Sequence, residues 1–552
     1  MAGQVSPGIV LRERDLTNSV AVATQANTAA IVGVFEKGPV NVITSITSEK
    51  QLVDTFGRPN SNNFEDWYVA STFLSYGGQL QVVRVADSAL KNAVTDYDTQ
   101  APNAPLITSF SDFEAQKGTT TYKFAARTAG TWGSSLKVST IDGSVSSTAY
   151  ATATYHGISK WSSIAARPTD TDTCHVVVVD EGGVITGTPG TLLESFIFTS
   201  RVATAVNTEG ETNFYPNVIN RRSRYVFADE TVAAGDLDFS LDGGADGYQA
   251  ATSALEAAYA KFENVEDITI DFILGGGSIS YGATPGDATK TKALKAISIA
   301  ANRKDCVAFI SPYRSFVSLS DSSAQKDAII AYFSNITSTS YAVFDSGYKY
   351  IYDRYNDVYR YIPCNGDVAG LCVQTSATLE DWFSPAGLQR GNLRNAIKLA
   401  YTPSKTDRDE LYQNRINPIT SFPGQGIVLF GDKTALGTPS AFDRINVRRL
   451  FLALERRIGS VAKTVLFELN DETTRNSFFT TVNTYMTEVQ AKRGVTDYLV
   501  VCDDTNNTPD VIDRNEFVAE IYVKPSRSIN YITITFVATK TGTSFAEVTG
   551  QV

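Results

Sequence analysis

Two histidines, His156 and His175, are all that the 552-residue chain offers as neutral-pH bases, triad members or imidazole metal ligands. His175 follows Cys174 in CHVVVVD, a juxtaposition that would suit a nucleophile and its base. The apolar run around it instead predicts an ordinary strand position, and His156 in YHGISKW reads the same way. The cysteines Cys174, Cys306, Cys364, Cys372 and Cys502 are scattered, with no CxxC spacing, which argues against a zinc knuckle or a disulfide framework and fits a reducing compartment. Gly275, Gly276 and Gly277 in ILGGGS form the one stretch that resembles a phosphate-cradling loop. It lacks the GxGxxG order, and GDATKTK, with Lys290 and Lys292, is not GxxxxGK[ST]. Asp503, Asp504 and Asp510 in CDDTNNTPD do not make a calcium loop, because Thr508 and Arg514 stand where an EF-hand needs Gly and Glu. No GxSxG elbow and no HExxH occurs. Neither catalysis nor a metal or cofactor is expected.

Lys and Arg total 48 against 59 Asp and Glu, so the net charge of −11 provides no field to gather phosphates, and nucleic acid is not an expected partner. No apolar run approaches the roughly 18 residues of a membrane span. The start, MAGQVSPGIVLRERD, has no apolar core of the kind a signal peptide needs, so none is expected. With 43% hydrophobic and 19% charged residues the chain is globular, long enough for several domains.

The elements divide into three regions. From Val20 to Phe35 the pattern predicts one or two strands. A helix over Ser48–Phe56 with Ser48 as N-cap and Gly57 as stop follows, then a helix over Phe64–Tyr76 and a buried strand over Leu80–Ala86. Between about Lys91 and Tyr248, Thr, Ser, Ala and Gly dominate, and short alternating runs such as LKVST and HVVVVD predict a β-rich insertion. From Asp267 strand and helix signals alternate as βαβαβ through YAVFD, favouring a parallel sheet with helices on both faces. A tyrosine-rich hairpin, KYIYDRYNDVYRYI, turns at Asn356–Asp357. Two strong helices, Asn446–Lys463 and Asp471–Arg493, precede the strands VTDYLVVC, EFVAEIYV and YITITFV. In the first of these helices Val447, Leu450, Phe451, Leu454, Ile458 and Val461 form an apolar stripe, and Arg449, Arg456 and Lys463 recur every seven residues beside it, widened by Arg448 and Arg457. The plain reading of that basic strip is a solvated face.

DWFSPAGLQRGNLRNA from Asp381, the following DRDELYQNRINPITSFPGQGIVLFGDKTAL, and DRINVRRLFLALERRI together resemble the tail sheath proteins of contractile-tailed bacteriophages. VLFELND near Val465, YLVVCDDTNNTPDVID near Tyr498, SPGIVLRERD, AAIVGVFEKGPVN and the FGRP turn at Phe56 also fit; in the middle only GTWGSSLKV and LDGGADG are recognisable. The resemblance implies a non-enzymatic structural subunit that polymerises as stacked hexameric rings around a tail tube and contracts to drive that tube through the host envelope. It implies as partners further copies of the chain, the tail tube protein, and baseplate and tail terminator proteins, with no nucleic acid and no membrane insertion. The location implied is the virion, after assembly in the host cytoplasm. An R-type bacteriocin or other contractile injection system is the related alternative, and an α/β nucleotide-binding enzyme, with its pocket near Gly275–Ser278, the distant one.

In that family the chain ends add strands to neighbouring subunits, a β-augmentation. Carried onto this sequence, Ile9, Val10 and Leu11 form the N-terminal inter-subunit arm. The C-terminal piece is either Tyr531–Val537, with Tyr531, Ile532 and Ile534, or Ser544–Val548. The expected acceptor is the Glu516–Val523 strand, with Phe517, Val518, Ile521 and Val523; Gly426–Phe430 is the other possibility. Arg449, Arg456 and Lys463 become candidate contacts to the tube or to an adjoining sheath subunit. The fold class expected is multidomain α/β and α+β: a βαβ-type body over 26–90 plus 250–345, an inserted β-rich outer domain over 91–249, and a mixed inner domain over 346–530. An N-terminal arm over 1–25 and a C-terminal strand and arm over 531–552 are the exchanged ends.

Overall fold

The runs TAAIVG, FIL and VAFI are apolar at nearly every position, the pattern of strands covered on both faces. In the computed structural model, which describes residues 27–95, 105–116, 122–229 and 232–530, they lie side by side. The sheet order is Ile416–Asn417, Ala342–Asp345, Val307–Ile310, Phe272–Leu274, Thr28–Gly33, Gln79–Arg84, Thr44–Ile46. Every neighbouring pair is parallel except the last. Alternate side chains go to opposite faces. Ala29, Ile31, Phe272, Leu274 and Phe309 meet Trp67 and Phe73 of the Phe64–Ser75 helix and Leu371 of the Asn365–Thr378 helix. Ala30, Val32, Ile273, Ala308 and Ile310 meet Tyr259, Ala296 and Ile329 of three helices on the other side. Phe73, fully buried and edge-on to Phe272 with centroids 6.1 Å apart, illustrates the stakes: truncating such a ring to Ala costs about 3–5 kcal/mol.

The local signals read from sequence recur in the caps. Ser48 accepts from Gln51 N at the start of Glu49–Phe56, and Gly57, at φ 82°, closes it through its N–H to Val53 O. Asp357, at φ 53°, turns the hairpin between Tyr348–Asp353 and Val358–Pro363. The run DITIDFIL is only half strand. The strand begins at Phe272; Asp271, just before it, already donates its N–H to Thr28 O at 2.8 Å, while its carboxylate accepts from Thr28 N at 2.9 Å and pairs with Arg456.

After Arg84 the chain leaves this sheet and re-enters it at Phe272. The excursion builds a second, antiparallel sheet in the order Leu237–Ser240, Leu136–Asp142, Thr173–Asp180, Thr191–Ser200. Its own core includes Phe124, Trp132, Val138, Val176 and Val178. The boundary expected at 345/346 is not a break in packing. Ile416–Asn417 adds to the sheet edge, and the core on the Trp67 face continues to Ile445. A separate small core forms only farther on, where Leu450 and Leu454 of the Ile445–Val465 helix pack with Phe478, Val482 and Met486 of the Glu472–Ala491 helix and with Val495 and Val500.

Candidate assembly interface

The glycine loop at the carboxyl ends of the parallel strands is where an α/β enzyme would hold a phosphate. Here the loop's donors are already taken by the protein's own carboxylates. Asp66 Oδ1 accepts from Gly277 N at 2.7 Å and Glu65 Oε2 accepts from Ser278 N at 2.7 Å. Lys292 Nζ lies 3.1 Å from Asp66, and Arg314 pairs with Glu65 at 2.7 Å. Burial pushes the Glu65 carboxyl up, against the pull of Arg314. Gly276, at φ 67°, is needed for the fit, since a Cβ there would sit 2.5 Å from Asp66 Oδ1. The remaining space is about 80 Å³, against the roughly 300–1,000 Å³ of a ligand pocket. Lys290 lies over the Tyr332 ring, 6.0 Å from its centroid. The loop is a self-neutralised turn, and the nucleotide-site alternative finds no room in it.

The other chemical candidates are absorbed in the same way. His175 is held in its strand by Ala166 O at 2.8 Å on Nε2 and by Phe198 N at 2.9 Å on Nδ1. Burial pushes the neighbouring Cys174 thiol up to about 11, the reverse of an activated thiolate. His156 differs from the expectation: at φ 44° it occupies the turn between Thr154–Tyr155 and Ile158–Ser159, not a strand. Asp503 accepts from Thr505 N at 2.9 Å, Asp504 pairs with Arg475 at 2.6 Å, and Asp510 lies in the first turn of the short Pro509–Asp513 helix.

The basic strip is not the solvated face expected of it: its first arginines are interior. Arg449 is 3% exposed, its Nη2 2.9 Å from Asp381 and 2.5 Å from Ser376 Oγ. Arg456 pairs with buried Asp271, whose carboxyl burial pushes up and Arg456 draws down. Arg448 donates to Ser340 Oγ at 2.6 Å and lies 4.3 Å from the centroid of the Tyr341 ring. These arginines fasten the helix to the body. The heptad spacing placed them correctly beside the apolar stripe, but the first half of the helix is covered on both sides, so its polar flank is interior as well. Of the three candidate contacts only Lys463 is exposed.

The candidate acceptor region is divided too. The strand is Glu520–Pro525, antiparallel to Val495–Val501, with Ile521 opposite Val500 and Tyr522 opposite Leu499. Ile521 and Val523 turn inward, onto the core formed with Phe478 and Met486. Phe517 and Val518 precede the strand: Phe517 packs edge-on against Phe478 at 5.3 Å, and Val518 exchanges two hydrogen bonds with the Asn507 side chain. Among the described residues this sheet has two strands only, so each keeps an unpaired backbone edge. Its outer face carries Leu499 and Tyr522, 58% and 56% exposed. The other acceptor considered, Gly426–Phe430, is engaged on both sides. Gly426–Leu429 pairs with Ile419–Phe422, and across its second edge Leu393 N donates to Ile427 O at 2.9 Å and Leu429 N to Gly391 O at 2.8 Å. The arm residues Ile9, Val10, Leu11, Tyr531, Ile532 and Ile534 lie outside the described residues.

Known proteins match this chain from near its start to near its end. The family described as tail sheath protein Gp18 domain III N-terminal region matches residues 27–85, the phage tail sheath protein central domain residues 243–435, and the phage tail sheath C-terminal domain residues 438–539. A tail sheath protein of Vibrio phage KVP40 is 32% identical, over 99% of this chain and 100% of its own. The chain belongs to the phage tail sheath protein family. The sheath tail protein of Listeria innocua shares the fold at a TM-score of 0.55 and 11% identity, covering 91% of this chain and 95% of that one. The helical sheath of the anti-feeding prophage in its contracted state does so at 0.52 and 12%, covering 97% and 99%. The first two family matches leave residues 86–242 of this sheath chain between them, the stretch that holds the separate antiparallel sheet.

Proposed function

We propose that this sheath subunit polymerises as stacked hexameric rings around a tail tube, held together by exchanged terminal strands, and that the stack shortens and widens to drive the tube through the host envelope. The observation that carries the reading is the hairpin of Val495–Val501 and Glu520–Pro525, a two-stranded sheet with unpaired edges and an apolar outer pair. Its free edges can each take a further strand, which ties subunits by backbone bonds while the bodies move. The acceptor is the strand centred on Ile521 and Val523, and the N-terminal donor is the segment around Ile9, Val10 and Leu11; a C-terminal donor beginning at Tyr531 or at Ser544 supplies the other link. Residues 91–249 form an outer domain, and Lys463 is what remains of the three candidate contacts to the tube or a neighbouring subunit. Tail tube, baseplate and tail terminator proteins complete the particle, assembled in the host cytoplasm. The likeness to the anti-feeding prophage sheath favours a contractile injection system as the second reading.

Deleting residues 1–14 tests the arm. The truncated protein should be a folded, soluble monomer that forms no tubes in negative-stain images, and Val10→Pro should do nearly the same by removing a backbone donor. Normal tubes from the truncated chain would discard arm exchange.

A further inference from the structure

The loop between the Ile445–Val465 and Glu472–Ala491 helices exposes a run of large apolar side chains. Leu466, Phe467 and Leu469 are 63%, 104% and 78% exposed. Phe467 holds a φ of 69°, in the left-handed region that a bulky side chain rarely adopts. Glu468, Asp471 and Glu472 accompany it, all exposed. An apolar tip carrying three carboxylates calls for a partner that is both aromatic and basic.

Such a surface exists at the other end of the same helical pair. A groove of about 1010 Å³ is lined by Asn446, at the start of one helix, and Arg493, just past the end of the other. Arg390, Lys405, Arg408, Lys433 and Arg527 line it as well, against the acids Asp409 and Asp432, in a chain whose net charge is −11. Phe383, Phe430 and Ile529 supply apolar surface, the last two 45% and 81% exposed. A helix of the 21 residues Ile445–Val465 spans about 30 Å, so tip and groove of one chain cannot meet each other.

We propose that the Leu466–Glu472 tip of one copy seats in the basic groove of a second copy. The contact is heterologous, one end against the other, so it repeats into a ring or an open helix instead of closing a pair. It rests on the polymeric reading above and adds to it a side-chain contact independent of the exchanged arms. Charge complementarity favours the pairing: the tip brings three carboxylates, and the groove sets six cations against two acids.

Cysteine cross-linking tests it, since all five native cysteines are buried. A full-length chain carrying both Phe467→Cys and Ile529→Cys should give a ladder of covalent oligomers under mild oxidation, while either single substitution should stay monomeric on a denaturing gel. Separately, Glu468→Lys with Glu472→Lys should lower sedimentable polymer at least tenfold at an unchanged melting temperature, and adding Arg408→Glu with Arg527→Glu should restore it. Wild-type tubes with no ladder, homotypic links through Phe467→Cys alone, or normal polymer from the Lys variant would each overturn the contact and leave the sheath reading standing. A Lys variant that polymerises alone but fails to bind tube protein would assign the tip to the tube and overturn the proposal. Wild-type protein that never polymerises would overturn both.

Discussion

Asp345 ends its strand inside the molecule, accepting from Ser311 Oγ at 2.7 Å and Gly347 N at 2.9 Å, near the buried Lys349–Asp367 pair. Burial pushes its carboxyl up to about 8, with Asp367 adding to the rise. A folded value above the unfolded one means that the native state keeps a proton which the unfolded chain has released. Stability from this group is therefore complete below about pH 4 and is lost as pH rises toward 8, at up to about 1.4 kcal/mol per pH unit. Asp345→Asn should flatten the dependence of melting temperature on pH between 5 and 8; a slope equal to wild type would assign that dependence to other groups. The buried arginines allow a parallel test. Arg456→Met leaves buried Asp271 without its counter-charge and should destabilise the monomer by about 3 kcal/mol in thermal unfolding. Lys463→Met, on an exposed side chain, should change it by less than about 0.5 kcal/mol.

The outer face of the terminal hairpin can be altered without breaking the hairpin itself. Leu499 and Tyr522 are register partners, so Leu499→Lys with Tyr522→Glu trades an apolar pair for an opposite-charge pair across the strands. The monomer's melting temperature should barely move while tube yield falls; unchanged tubes would show that no partner covers this face. That surface was only partly legible in the sequence. EFVAEIYV announced a strand, yet Phe517 and Val518 are diverted from the ladder by Phe478 and by Asn507, partners distant in the chain. The Ser48 cap, the Gly57 stop and the turn at Asp357 were legible because their causes lie within a few residues. The double-faced burial of VAFI, and of Ala342, Val343 and Phe344, was legible because nothing polar interrupts either run. What sequence patterning could not supply was the partner of each charge. The same heptad spacing holds Arg449, buried against Asp381, and Lys463, in solvent, and only the packing of the helix on the body separates them.

At the scale of the molecule, residues 91–249 return the chain to the sheet they left, with a core of their own, which makes their removal conceivable. The junction decides whether it succeeds. Arg84, 1% exposed at the end of its strand, donates to Gly38 O at 3.0 Å, to Glu36 O at 3.1 Å and to Ala129 O at 2.7 Å. The last of these acceptors lies in the excursion, as do Thr131 and Gly130, which bond Asp246 and Lys91. Burial already draws the Arg84 guanidinium down to about 10, so losing a carbonyl leaves a buried cation underserved, a cost of a few kcal/mol. Excising residues 96–245 alone should therefore give a folded but weakened body, whose melting temperature rises when Arg84→Leu is added and no buried charge remains to be satisfied. Both shortened chains should still polymerise if assembly resides in the terminal hairpin and arms. Loss of cooperative unfolding in both would show instead that the body cannot fold without the excursion, and the outer-domain assignment would fail with it.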